Sequence, residues 1–118
     1  MNHDSPEYQK MLAELKNDYI KGLQGKLEAI QIAVEARDTA VLREHFHKFK
    51  GNGKTYGFPA ISIVGELTEK LIIQSEEKGL EASQLALRLL KSIYEKELDN
   101  KGYEFEEDPN LAELRALA

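Results

Sequence analysis

Apolar residues recur at intervals of three and four along almost the whole chain, and the alternation expected of strands is nearly absent, so the pattern predicts helices throughout. Ser5-Pro6-Glu7 is a helix start, with a capping serine, proline at the first helical position and an acid in the first turn. From there Tyr8, Leu12, Leu15, Tyr19, Leu23, Leu27, Ile30 and Val34 step by fours and threes, past Gly22 and Gly25. The stripe is compatible with one long helix or with two that meet near those glycines. Asp38 or Thr39 caps the next helix, which ends near Gly51–Gly53. Gly57-Phe58-Pro59 opens a third, with Ile61, Val64, Leu67 and Leu71 as its core face and Gly79 just past its end. A fourth is expected from about Leu80 to Leu98, with Leu85, Leu89 and Ile93 on an apolar face wide enough for central burial.

Short connections make such helices antiparallel neighbours. The fold class expected is all-α: an antiparallel up-and-down four-helix bundle, with an extra N-terminal helical segment and a short C-terminal helix. The bundle is assigned to residues 1–98. Residues 99–118 form an acidic tail, in which 99–102 break the helix and Glu104, Glu106, Glu107 and Asp108 precede a short helix begun by Asp108-Pro109. Leu111, Leu114 and Leu117 share a face of that helix, suited to docking on the bundle or on a partner.

One segment departs from this plain pattern. At about 100° per residue, Leu42, Phe46 and Phe49 fall within roughly 60° and form the buried face of the second helix. Arg43, His47, Lys50 and Lys54 form a second stripe about as narrow, turned away from the apolar one. Gly51, one turn beyond His47, removes a side chain that would crowd the ring. The pattern presents an exposed imidazole with cations around it and an open approach, which suits a nucleophile that takes a phosphoryl group from another protein.

The motif His47-x-x-Lys50-Gly51 with Gly57 six residues later resembles the signature of histidine phosphotransfer (HPt) domains. Thr55-Tyr56-Gly57-Phe58 is similar to the variant in chemotaxis-kinase and stand-alone members, and the likeness extends over roughly residues 7–98. The family usually has a small residue where Phe46 stands and Leu or Ile where Phe49 stands; both substitutions keep the apolar character. The resemblance implies a phosphorelay intermediate in a two-component system, without kinase activity of its own. It accepts a phosphoryl group on His47 from a receiver aspartate or a sensor histidine kinase, hybrid kinases included, and passes it to a receiver. The resemblance further implies that the partner receiver supplies Mg2+ and the acidic pocket, so no cofactor of this chain's own is expected. Lys50 is the expected phosphate neighbour, and an acid on the third helix, Glu69 in preference to Glu66, is expected to hold the imidazole in one tautomer. Arg43, Lys54, Gly57 and Phe58 are the expected docking contacts, with Gly57 also permitting the turn into the third helix and Phe58 equally suited to the core.

Composition removes several rivals. A net charge of −5 and a pI near 5.3 leave no broad basic surface for nucleic acid. There is no cysteine, and His45 and His47 point about 200° apart on a helix, so no zinc site is expected. His3 beside a free amino terminus could chelate copper or nickel only as an accident of sequence. Gly53-Lys54-Thr55 is no phosphate-binding loop, because the required first glycine would fall at Lys48 and no strand precedes it. Without a basic and apolar leader or a bilayer-length apolar run, the expectation is a soluble cytoplasmic protein, monomeric because the His47 face must stay free. Two other readings share this surface: a module that docks on receivers as an inhibitor or scaffold without carrying phosphate, and a purely structural helical adaptor.

Overall fold

In the computed structural model, which describes residues 5–98 and 102–118, five α-helices follow in order: α1 (Pro6–Glu35), α2 (Thr39–Asn52), α3 (Pro59–Gln74), α4 (Glu76–Leu98) and α5 (Pro109–Leu117). No strand occurs among the described residues. Of the two arrangements compatible with Gly22 and Gly25, the chain adopts one continuous helix of 30 residues. Both glycines are exposed, and a Cβ at either would meet nothing within 4 Å, so neither is required by packing and neither breaks the backbone ladder. Ser5 caps α1 through Tyr8 N, and Asp38 rather than Thr39 caps α2 through Val41 N.

α1 packs on α2 and α4, α2 on α3, and α3 on α4. The core they enclose includes Leu23, Ile30, Leu42, Phe46, Phe49, Ile61, Val64, Leu71, Leu89 and Leu90, all essentially inaccessible. The apolar stripe of α1 is only half used. Leu12 and Leu15 are 41% and 44% exposed, because the first three turns of α1 run past the helices that would cover them. A helix of this length spans about 45 Å, which accounts for the 48 Å long axis of the molecule.

One boundary differs from the sequence expectation. Gly79 lies within the first turn of α4, not in the connection after α3, since α3 stops at Gln74 and Ser75 in extended backbone caps α4 through Lys78 N. Gly79 is needed for proximity: a Cβ there would meet Ile72 Cα at 2.7 Å.

The breadth of the α4 apolar face has its explanation in α5. This helix, capped by Asp108, packs along α4 and touches α3. Leu111 and Leu114 are fully buried in the same cluster as the bundle core, while Leu117 is partly buried. Tyr103 donates a hydrogen bond to Asp108 Oδ2 at 2.5 Å, and Arg115 pairs with Glu106, so the segment before α5 folds back on it. Burial and the Asp108 carboxylate hold the Tyr103 hydroxyl well above its ordinary pKa. The expected helix break at 99–102 falls mostly on residues 99–101, outside the described residues.

Leu114→Ala should lower the unfolding free energy by about 2–5 kcal/mol, the range for deleting a buried leucine side chain, in urea titrations. A change within about 0.5 kcal/mol, as for a surface site, would mean α5 is not seated on α4 in solution.

Candidate functional site

The second stripe of α2 emerges as expected. Leu42, Phe46 and Phe49 are buried, and the His47 side chain is 70% exposed on the opposite flank. It faces α3, where Glu69 lies at the same level with its side chain only 10% exposed. His47 Nδ1 and Glu69 Oε2 are 2.7 Å apart. The other carboxylate oxygen is 3.8 Å from Lys50 Nζ. A carboxylate only accepts hydrogen bonds, so this contact requires the proton on Nδ1 and leaves the Nε2 lone pair unprotonated in the neutral ring. Glu69 is therefore no ordinary surface glutamate.

Two depressions flank the imidazole. On one side a cavity of about 600 Å3 lies between α2 and α3, with His47, Lys50 and Gly51 on one wall and Pro59, Ser62, Ile63 and Glu66 on the other. Lys54 closes its end. On the other side a smaller one, about 290 Å3, is lined by Ala40, Arg43, Glu44, His47 and Glu69. The three cations of the stripe, Arg43, Lys50 and Lys54, thus flank the ring, although Lys54 reaches the cavity from a 3-10 turn, Lys54–Tyr56, rather than from α2 itself. A Cβ at Gly51 would meet nothing within 4 Å, so, against the expectation, a Cβ there would not crowd the ring, and no contact within the fold requires glycine at this position.

The turn after α2 is fixed from α1. Tyr19 stacks on Tyr56 and on Phe58, with ring centroids 4.9 and 5.7 Å away, and its hydroxyl donates to Asn52 Oδ1 at 2.8 Å. Burial, reinforced by Tyr56, pushes the Tyr19 pKa up to about 12, so the hydroxyl remains a donor across the neutral range. Gly57 has φ +91°, a left-handed conformation that L side chains avoid. Phe58 is a correction: at 6% exposure, under Tyr19 and with Lys16 Nζ 5.0 Å from its ring centroid, it belongs to the core and offers no docking surface. The apolar rim of the cavity comes from Pro59 and Ile63, which neither the motif nor the helical periodicity singles out.

His45 is separate from this site. Its pKa is lowered, chiefly by burial and then by Lys48, on the flank of α2 away from Glu69. No group of three or more His, Cys, Asp or Glu side chains among the described residues is arranged to hold a metal ion. No helix among them is long and apolar enough to cross a membrane. His3 lies outside the described residues.

The family model for the Hpt domain matches residues 14–100. The chain belongs to the Hpt domain family. No curated protein and no solved structure matched it. Hpt domains serve in phosphorelays as intermediates that carry a phosphoryl group on histidine without autonomous kinase activity, and they interact with receiver domains and histidine kinases. The Hpt match ends before α5 begins, so the helix that widens the α4 interface lies beyond the matched region.

The two motif glycines should respond oppositely to alanine. Gly57→Ala forces a left-handed residue and should cost about 1–2 kcal/mol. Gly51→Ala, in an exposed helical position, should leave stability unchanged or raise it by up to about 1 kcal/mol. Urea unfolding of both variants checks the pair.

Proposed function

We propose that this protein is a phosphorelay carrier in which His47 Nε2 accepts a phosphoryl group from a receiver aspartate or a histidine kinase and returns it to a receiver. The observation that supports this most directly is the 2.7 Å contact of Nδ1 with Glu69, which leaves the exposed Nε2 as the nucleophile. In the forward step the Nε2 lone pair attacks the phosphorus of an aspartyl phosphate. The N–P bond forms, the bond from phosphorus to the carboxylate oxygen breaks, and the electron pair leaves with the carboxylate. The ring keeps its Nδ1 proton and gains positive charge, which the Glu69 carboxylate offsets. Lys50 and Lys54 offer cationic amines to the phosphoryl oxygens, and the partner receiver supplies Mg2+.

The same reading takes α1–α4 as an up-and-down antiparallel bundle. Contacts at matching levels support it: Tyr19 with Asn52, His47 with Glu69, Lys16 with Glu97 and Tyr94 with Gln24. The receiver docks over the cavity between α2 and α3, with Gly51, Pro59 and Ile63 as its floor and Arg43 and Lys54 at its edges. The working form is a monomer, because a second copy on this face would block it.

Incubation with a panel of phosphorylated receivers should place acid-labile label on the wild type and none on His47→Ala. Two unit charges near a surface interact by about 1–4 kcal/mol, so Lys50→Ala should slow transfer by roughly fivefold to several hundredfold without abolishing it. Receiver binding without label on the wild type would favour a docking module that carries no phosphate, and His47→Gln would then bind as well as wild type.

A further inference from the structure

We infer that Gly65 is a positioning residue for His47, setting the separation of α2 and α3 that lets Glu69 reach Nδ1. The role rests on the carrier reading above only for its consequence in transfer; the geometry stands by itself. Ser62, Gly65 and Glu69 follow one another at i, i+3 and i+7 on α3, one stripe facing α2. Each meets a different turn. Ser62 Oγ accepts from Lys54 N at 2.7 Å, Gly65 lies against Phe46 and Lys50, and Glu69 reaches His47.

The contact at Gly65 is between backbones. A Cβ there would lie 2.5 Å from Lys50 N, 2.7 Å from Phe46 O and 3.0 Å from Lys50 Cα. None of these atoms can rotate aside, as the end of a flexible side chain would. Ordinary non-bonded contact needs about 3.5 Å, so any side chain at position 65 drives the helices apart by roughly 1 Å. Phe46 and Lys50 bracket His47 in sequence, and Glu69 is one turn beyond Gly65. The separation therefore opens at the level of the imidazole. A 2.7 Å hydrogen bond lengthened by about 1 Å falls outside the useful range, and the Glu69 side chain, nine-tenths buried, has little freedom to follow. The ring then loses the carboxylate that keeps its proton on Nδ1.

Gly79 provides the contrast. Its Cβ would meet Ile72 Cα at 2.7 Å, a backbone approach as tight, but between α3 and α4 at the end of α3 away from the cavity. Alanine there strains the bundle without moving α3 from α2 beside His47.

The experiment uses the full chain as wild type, Gly65→Ala, Gly79→Ala and Glu69→Asp. The His47 tautomer is read from ring 15N shifts at a pH where the imidazole is neutral, alongside urea unfolding and the transfer rate. Wild type and Gly79→Ala should both hold the proton on Nδ1, the latter with lowered stability. Gly65→Ala should move the proton toward Nε2 and slow transfer by roughly tenfold or more. Glu69→Asp withdraws the carboxylate by one methylene without a clash and should give the same tautomer change, so it decides the matter if Gly65→Ala does not fold. Retention of the Nδ1 proton by a folded Gly65→Ala, or by Glu69→Asp, overturns the positioning role. A tautomer change in these variants with no transfer by wild type supports the positioning role and counts against the carrier reading.

Discussion

The direct backbone contact of α3 on α2 is the constraint on which the site depends. A buried glutamate is expensive unless its oxygens are engaged, and Glu69 is engaged at both, by the His47 ring and by the Lys50 ammonium. That arrangement exists only while the two helices stay as close as Gly65 permits. The neighbouring apolar face supplies the force: Phe46 and Phe49 from α2 and Ile61 and Val64 from α3 are excluded from water and draw the helices together. The imidazole is thus held by a polar contact at the edge of an apolar seam, where packing fixes geometry and the ring stays largely exposed.

The turn between α2 and α3 extends this rigidity. It is short, left-handed at Gly57, and pinned from outside by the Tyr19, Tyr56 and Phe58 stack. Lys26 Nζ lies over the Tyr19 and Phe49 rings and Lys16 Nζ over Phe58, so cations of α1 cover an aromatic layer that reaches the foot of the cavity. α1 therefore contributes no side chain to the His47 cavity yet determines where its closing residue, Lys54, emerges. In a chain of net charge −5, Arg43, Lys50 and Lys54 bring three cations to the two depressions beside the ring.

α5 adds a second packing surface to α4. The helix is only nine residues long, too short to persist alone in water, and it is held by Leu111 and Leu114 in the bundle core. Leu12 and Leu15 at the other end of the chain have the same apolar character and stay exposed.

Helical class, the caps at Ser5 and Asp108, the start of α3 at Pro59, the exposed stripe of α2 and the special backbone at Gly57 were all legible in the sequence. Each depends on residues within a turn or two of one another, where periodicity and local hydrogen bonding decide the outcome. Within the site, the motif picked out His47, Lys50 and Gly51, and the likeness to the family picked out Glu69; the structure brings these side by side, whereas nothing in the pattern picked out Pro59, Ile63 or Gly65 as part of it. What only the tertiary structure decided was everything that depends on how far one helix stands from another. It put Gly79 inside a helix and close against Ile72, and it placed Phe58 in the core. It left Leu12 and Leu15 partly exposed, and it made Gly65 a point of contact. A sequence records which face of a helix is apolar, but the distance between two such faces is set by the bulk of side chains far apart in the chain, and that distance places a carboxylate within hydrogen-bonding reach of the imidazole.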